Sequence, residues 1–255
     1  MLDKAISEFR KAIFMYPNFA EARSNHGLVY MKKGVFDEAI IECEKAVTLD
    51  PTLATAFFNL GCTYSAKGMT DKAITLYKKV LALNSNHFGS YINLGHNYLK
   101  LNRYKEAINV YKRAIEINPD DIEPHYGLGY AYMKARMFDE ALIEFKKVIS
   151  MKHDDVDAHY NLGLTYVEKG DRESAFKEYE SLRSFKSKKH EQALFEKLFP
   201  EEKESLNNSA KPALLEVFVC LLFGILCALK ARNLKKSIPT CVLWFFMGGF
   251  ILGSK

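Results

Sequence analysis

From Ala20 to Asp155 the chain repeats itself every 34 residues without an insertion. One period carries Gly27 to Gly61, Gly95, Gly129 and Gly163. The same step carries Tyr30 to Tyr64, Tyr98, Tyr132 and Tyr166, and Ala39 to Ala73, Ala107, Ala141 and Ala175. A fixed period of this length specifies a stack of like units, because no single unit can bury its apolar face alone. Five units are expected across residues 20–189, starting at Ala20, Ala54, Phe88, Ile122 and Val156. Such a stack offers a long surface for recognition and no enclosed reaction centre.

Each unit reads as two stretches of helical apolar period around a short turn. In the second unit the first helix is expected from Thr55 to about Lys67, closed by Gly68, with Gly34 and Gly170 in the same register elsewhere. The second helix is expected to start near Asp37, Asp71 or Asp139, carboxylates that suit the positive end of a helix. It stops before Pro51 or Pro119, since proline has no N–H to extend the ladder. A glycine inside a helix costs about 1 kcal/mol relative to alanine, so its recurrence in mid-helix points to close approach of the paired helix. The Ala39 series supplies the matching small surface, and Leu60, Leu94, Leu128 and Leu162 with Tyr77, Tyr111, Phe145 and Tyr179 fill the space around it.

The spacing Phe57-x-x-Leu60-Gly61-x-x-Tyr64…Ala73…Tyr77 resembles the tetratricopeptide repeat. The resemblance implies an all-α, right-handed superhelical solenoid of antiparallel helix pairs, with the first helix of each pair lining a concave groove. It also directs attention to the sixth position of each unit, held by Asn25, Asn59, Asn93 and Asn161, with Gly127 breaking the series. An amide both donates and accepts, so a ladder of free amides would hold an extended backbone without reading its sequence. The pattern resembles the asparagine ladder in the repeat domain of O-linked N-acetylglucosamine transferase. Around it Phe58, Ile92, Tyr126, Tyr130 and Tyr160, with Lys32, Lys100 and Lys134 at the edge, suit a peptide with apolar anchors and acidic groups. On this reading Asn59→Ala with Asn93→Ala weakens partner capture and leaves melting unchanged. The repeats that clamp chaperone C-termini need basic residues at the second position, where this chain has Glu21, Thr55, Gly89, Glu123 and Asp157.

No enzyme is expected. There is no nucleophile–base pair or paired carboxylate, and Gly127-x-Gly129 lacks the third glycine and the strand of a dinucleotide loop. Cys43, Cys62, Cys220, Cys227 and Cys241 form no C-x-x-C pair, which argues against a disulfide framework and a zinc site. The segment His153-Asp154-Asp155-Val156-Asp157-Ala158-His159 is in register with turn and core residues of the preceding unit, so helix capping and packing explain it better than metal ligation. No cofactor is expected. The net charge of +5 comes from interleaved acids and bases, unlike the one-sided basic face of a nucleic-acid binder.

The regularity fails at both ends. Residues 1–19 match a second helix only, through Ala5, Phe9, Ala12 and Pro17, and the missing first helix is expected upstream of Met1. Two alternatives keep that edge open: self-association through it, or a targeting or regulatory fragment of a longer, glycosyltransferase-like enzyme. Residues 188–199 read as a capping helix with Ala193, Leu194, Leu198 and Phe199 inward, and 200–212 as a linker. Residues 213–229 are apolar except for Glu216 and, at ~1.5 Å per residue, span about 25 Å of a ~30 Å hydrocarbon core. A transmembrane helix is expected there, followed by a basic loop and a second apolar segment, 237–254, with the array on the cytoplasmic side.

Overall fold

The computed structural model describes residues 1–200. They are all helical apart from short turns. Helix α1 (Leu2–Met15) is followed by pairs α2 (Ala20–Lys32) and α3 (Phe36–Leu49), α4 (Ala54–Ala66) and α5 (Thr70–Leu83), and α6 (Phe88–Lys100) and α7 (Tyr104–Ile117). Next come α8 (Ile122–Lys134) with α9 (Phe138–Met151), α10 (Val156–Lys169) with α11 (Arg172–Ser184), and finally α12 (Lys188–Leu198). The apolar segments 213–229 and 237–254, the basic loop between them and nearly all of the linker lie outside the described residues. Among the described residues no helix is long and apolar enough to cross a membrane.

Local sequence explains the breaks. The turn inside each pair contains one residue of positive φ, supplied by Gly34, Gly68 and Gly170 at +79° to +82°. In the third and fourth pairs Asn102 (56°) and Arg136 (62°) take that conformation, asparagine readily and arginine at some strain. The turns between pairs carry helix caps. Asp121 Oδ1 accepts from the Glu123 N–H at 2.9 Å, and Asp155 Oδ1 from the Ala158 N–H at 3.0 Å. Asp154 and Asp155 therefore belong to a turn and a cap.

The core runs along the array as a continuous seam. Leu60, Leu94, Leu128 and Leu162 are buried, as are Tyr77, Tyr111, Phe145 and Tyr179. Ala46, Val80, Ala114, Val148 and Leu182 add a fully buried row on the second helices. Gly61, Gly95 and Gly129 face large rings at very short range, and Gly27 faces the Cys43 thiol and the Ala39 carbonyl. A Cβ on Gly61 would lie 2.8 Å from Tyr77 Cε1, and one on Gly129 would lie 3.0 Å from Phe145 Cε1. Gly163 differs, because Leu194 of α12 fills the space before it.

Each helix packs on its successor, and α10 also on α12. Neighbouring first helices touch as well, α2 on α4, α4 on α6, α6 on α8 and α8 on α10, whereas neighbouring second helices touch little or not at all. A stack whose first helices lie closer together than its second helices curves with the first helices inside. At the C-terminal end α12 buries Leu194, Phe195 and Leu198, leaving Ala193 and Phe199 half-buried. Phe195 replaces Ala193 in the inward row because the helix seats one residue further round than its apolar pattern suggests. At the N-terminal end α1 buries only Ile6, and Phe14 (87%), Met15 and Tyr16 stand exposed.

Candidate functional site

The inner face is built from α2, α4, α6, α8 and α10. The structure corrects the picture of a free amide ladder there. The Asn59 side-chain N–H donates to Ser24 Oγ at 2.9 Å, and that of Asn161 to Tyr126 Oη at 2.7 Å and to the Asp157 carbonyl at 3.0 Å. Asn93 donates to Cys62 Sγ at 3.4 Å. Each amide thus reaches back to the first helix of the preceding unit, and Asn59 and Asn161 are buried in doing so. A donor engaged between units is not offered to a ligand. Asn25 is exposed because no first helix precedes α2 among the described residues.

The apolar neighbours divide in the same way. Ile92 is buried, and half-buried Phe58 packs on the His87 ring at 4.8 Å, so both belong to the wall between units. Tyr126, Tyr130 and Tyr160 keep part of their rings open. Tyr160 lies 5.1 Å from the His190 ring, and Lys134 Nζ stands 5.1 Å over the Tyr130 ring. Lys100 and Lys134 are exposed at the C-terminal ends of α6 and α8. At the opposite ends a shallow depression of about 390 Å³ is lined by Asp121, Ile122, Glu123, Tyr126, Asp155 and Asp157. Burial, together with the charges of Asp157 and Asp155, pushes the Tyr126 hydroxyl up to about 12.

A second set of polar residues escapes a residue-by-residue reading. His125 Nδ1 lies 2.7 Å from Glu144 Oε2 and its Nε2 3.1 Å from the Pro119 carbonyl. His159 repeats this with Glu178 at 2.6 Å and the His153 carbonyl at 2.9 Å. Arg23 does the same through Glu42 (3.0 Å) and the Pro17 carbonyl. All three are fourth residues of their units, and each ties the preceding turn to its own second helix. The signal was present in sequence: where the fourth position is Phe57 or Tyr91, the partner position holds Leu76 or Val110. Both ring nitrogens of His159 are engaged, so the ring has no lone pair to give a metal. Burial penalises the charged ring, but the Glu178 carboxylate and the His153 carbonyl outweigh it and hold the His159 pKa above its usual value.

Among the described residues neither thiol, Cys43 nor Cys62, offers a nucleophile. Cys43 is fully buried, and desolvation, reinforced by Glu42, pushes its thiol up to about 12. Burial also raises Cys62. A thiol held protonated is a core residue rather than an attacking group.

An array of sequentially paired helices, with first helices inside and an open groove in place of a closed pocket, defines a helical-repeat solenoid. Models of the tetratricopeptide repeat match residues 18–86 and 126–187, and a TPR repeat model matches 95–135. The chain belongs to the tetratricopeptide repeat family. Among solved structures it is similar to YrrB, described as a TPR protein with an unusual peptide-binding site, at 29% identity and a TM-score of 0.63 over 69% of this chain and 91% of that one. It is also similar to MamA, at 31% identity and a TM-score of 0.60 over 63% of this chain and 94% of that one. MamA from Desulfovibrio magneticus RS-1 shares the fold at 22% identity, with a TM-score of 0.64 over 66% and 96% of the two chains. No curated protein matches the sequence.

Proposed function

We propose that the protein is a non-enzymatic scaffold that binds a partner polypeptide along the inner face of a right-handed tetratricopeptide superhelix. The carrying observation is that Tyr126, Tyr130 and Tyr160 remain partly open on the adjacent first helices α8 and α10, while Tyr77, Tyr111, Phe145 and Tyr179 of the core seam are buried. Large amphipathic rings left at a concave surface are typical anchors for a bound chain. YrrB, a peptide-binding relative, supports the reading. Residues 213–254 serve as a membrane anchor and keep the array on the cytoplasmic side.

The test is capture from native membranes by the full chain, by residues 1–211 and by Tyr130→Ala with Tyr160→Ala. A groove binder loses its partner at least tenfold in the tyrosine variant with helical signal retained, and an anchored one leaves the membrane fraction in the truncated form. Undiminished capture by the tyrosine variant removes the groove from the function. The exposed Phe14, Met15 and Tyr16 support a second use, self-association through the N-terminal edge. Sedimentation of the full chain before and after Phe14→Ser with Met15→Ser decides it.

A further inference from the structure

The first unit departs from the array at its seventh position. Leu60, Leu94, Leu128 and Leu162 fill that place in the other units, and His26 fills it here. His26 is 4% exposed, and neither ring nitrogen has a hydrogen-bond partner among the described residues. The ring lies between Tyr30 of α2, 4.5 Å away between centroids, and Phe9 of α1, 6.3 Å away. Helix α1 is therefore one wall of the enclosure that keeps this imidazole from water.

The charged groups around the ring do not prepare it for a proton. Glu42 Oε2 of α3 stands 3.8 Å from Nδ1, but it already accepts from Arg23 Nη1 at 3.0 Å, and Oε1 accepts from Lys45 Nζ at 3.1 Å. Arg10 of α1 and Arg23 of α2 present like charge to the ring. Arg10 is steadied there by donating to the Tyr30 hydroxyl at 2.8 Å. Burial lowers the His26 pKa, Glu42 opposes it, and the two arginines add to it. A proton entering the closed ring thus meets two cations and a carboxylate whose oxygens are both engaged.

Helix α1 also has little to hold it. It buries Ile6 alone and packs chiefly on α2, whereas α12 buries Leu194, Phe195 and Leu198 and packs on both α10 and α11. Its other ties are polar, Arg10 with Tyr30 and the exposed ion pair of Asp3 with Lys33. An edge helix with so few apolar contacts opens far more readily than the array unfolds. Opening lifts Phe9 and Arg10 from the ring, so the open form takes up a proton near the ordinary histidine value of ~6.5 and the closed form only at lower pH. The open form then binds more protons, and closure weakens as pH falls below about 6.5.

We propose that α1 is a pH-gated cover on the first unit: protonation of His26 releases it from α2 and uncovers the apolar cluster that Ile6 forms with Tyr30 and Ala39, flanked by Val29, Met31 and Val35. The array from α2 onward stays folded, since α2 keeps its packing on α3 and α4. Asp3 does not titrate in this range, because the hydrogen bond and charge of Lys33 hold its carboxyl below the usual value. The gate is independent of what the groove binds.

Hydrogen exchange of the full chain, followed by mass spectrometry at pH 7.5 and 5.5, tests it. Each rate divided by the intrinsic rate at its own pH gives the opening constant of the segment. For α1 that constant should rise several-fold, up to about tenfold, at pH 5.5, while α3 and α4 change less than twofold. In His26→Leu, which restores the residue of the other units, the rise should disappear. His26→Gln, which keeps a neutral polar group at the same place, should behave alike and covers any change of packing caused by leucine. An α1 opening constant that does not respond to pH overturns the proposal, as does a rise that persists in both variants. A rise shared equally by α3 and α4 places the transition in the whole unit and overturns the local gate.

Discussion

Tyr111 is held between two glycines, and replacing either should unfold the array more easily although helix propensity improves. A Cβ on Gly95 would lie 2.5 Å from Tyr111 Cε1, and one on Gly127 2.6 Å from the same atom. Ordinary carbon–carbon contact begins near 3.5 Å, so about 1 Å must be recovered from a ring with no exposed surface. Overpacking of this kind costs roughly 1–3 kcal/mol, against a propensity gain near 1 kcal/mol for Gly→Ala. The net loss of up to about 2 kcal/mol corresponds to a fall in melting temperature of up to about 8 °C for an array of this size. Gly129→Ala, whose closest approach is 3.0 Å to the Phe145 ring edge, should cost less. Thermal unfolding followed by circular dichroism ranks the three, and Tyr111→Leu provides the control. With the ring removed, Gly95→Ala should become neutral or stabilising. A rise in melting temperature for Gly95→Ala in the wild-type background would refute the claim that glycine is there for ring clearance.

Three further outcomes are expected. His26 stands at the seventh position, where Leu60, Leu94, Leu128 and Leu162 stand in the other units, and both its ring nitrogens are buried without a hydrogen bond, Nδ1 standing 3.8 Å from Glu42 Oε2. His26→Leu should therefore raise stability by about 1–2 kcal/mol, and denaturant melts check it. Burial lowers the His26 pKa, with Arg10 and Arg23 adding to it against Glu42, so the wild-type histidine destabilises increasingly as pH falls below its unfolded value. The gain from His26→Leu should accordingly grow toward pH 5.5. His159 has the opposite sign: its raised pKa contributes stability in full below the unfolded value near 6.5, and that contribution is lost as pH rises through the folded value. The melting difference between wild type and Glu178→Gln should shrink between pH 5.5 and 8.5, and a constant difference removes the charged pair. Asn59→Ala, which leaves Ser24 without its donor, should destabilise by roughly 1 kcal/mol in the same melts. It is therefore unsuitable as a silent probe of ligand binding.

The register of the array was legible because small and aromatic residues recur wherever two helices must meet, and that geometry is the same in every unit. The sixth-position asparagines were legible as a series but not in their role. Periodicity places a residue on a face without saying whether the neighbouring unit already occupies its donors, as Ser24 and Tyr126 do for Asn59 and Asn161. Gly127 was visible as an interruption. Its meaning required the Tyr111 ring, which lies in another unit and comes to it only through stacking. The ties of Arg23, His125 and His159 are legible only as paired changes, since where the fourth position is Phe57 or Tyr91 the partner position is Leu76 or Val110, and neither position shows this when taken alone.

Those ties also divide the array mechanically. The turns at Pro17, Pro119 and His153 are cross-braced to a second helix through Glu42, Glu144 and Glu178. At the Ser85 turn the Tyr91 hydroxyl donates to the Ser85 carbonyl at 3.0 Å and also meets Arg113 of α7. Phe57 has no polar atom to brace the turn at Pro51. The first and second units are nevertheless joined by other means, with Asn59 donating to Ser24, the Tyr64 hydroxyl to Glu44, and α2 packed broadly on α4. A partner that bends the array would therefore work against braces of two kinds, turn ties at Pro17, Pro119 and His153 and helix-to-helix packing at Pro51.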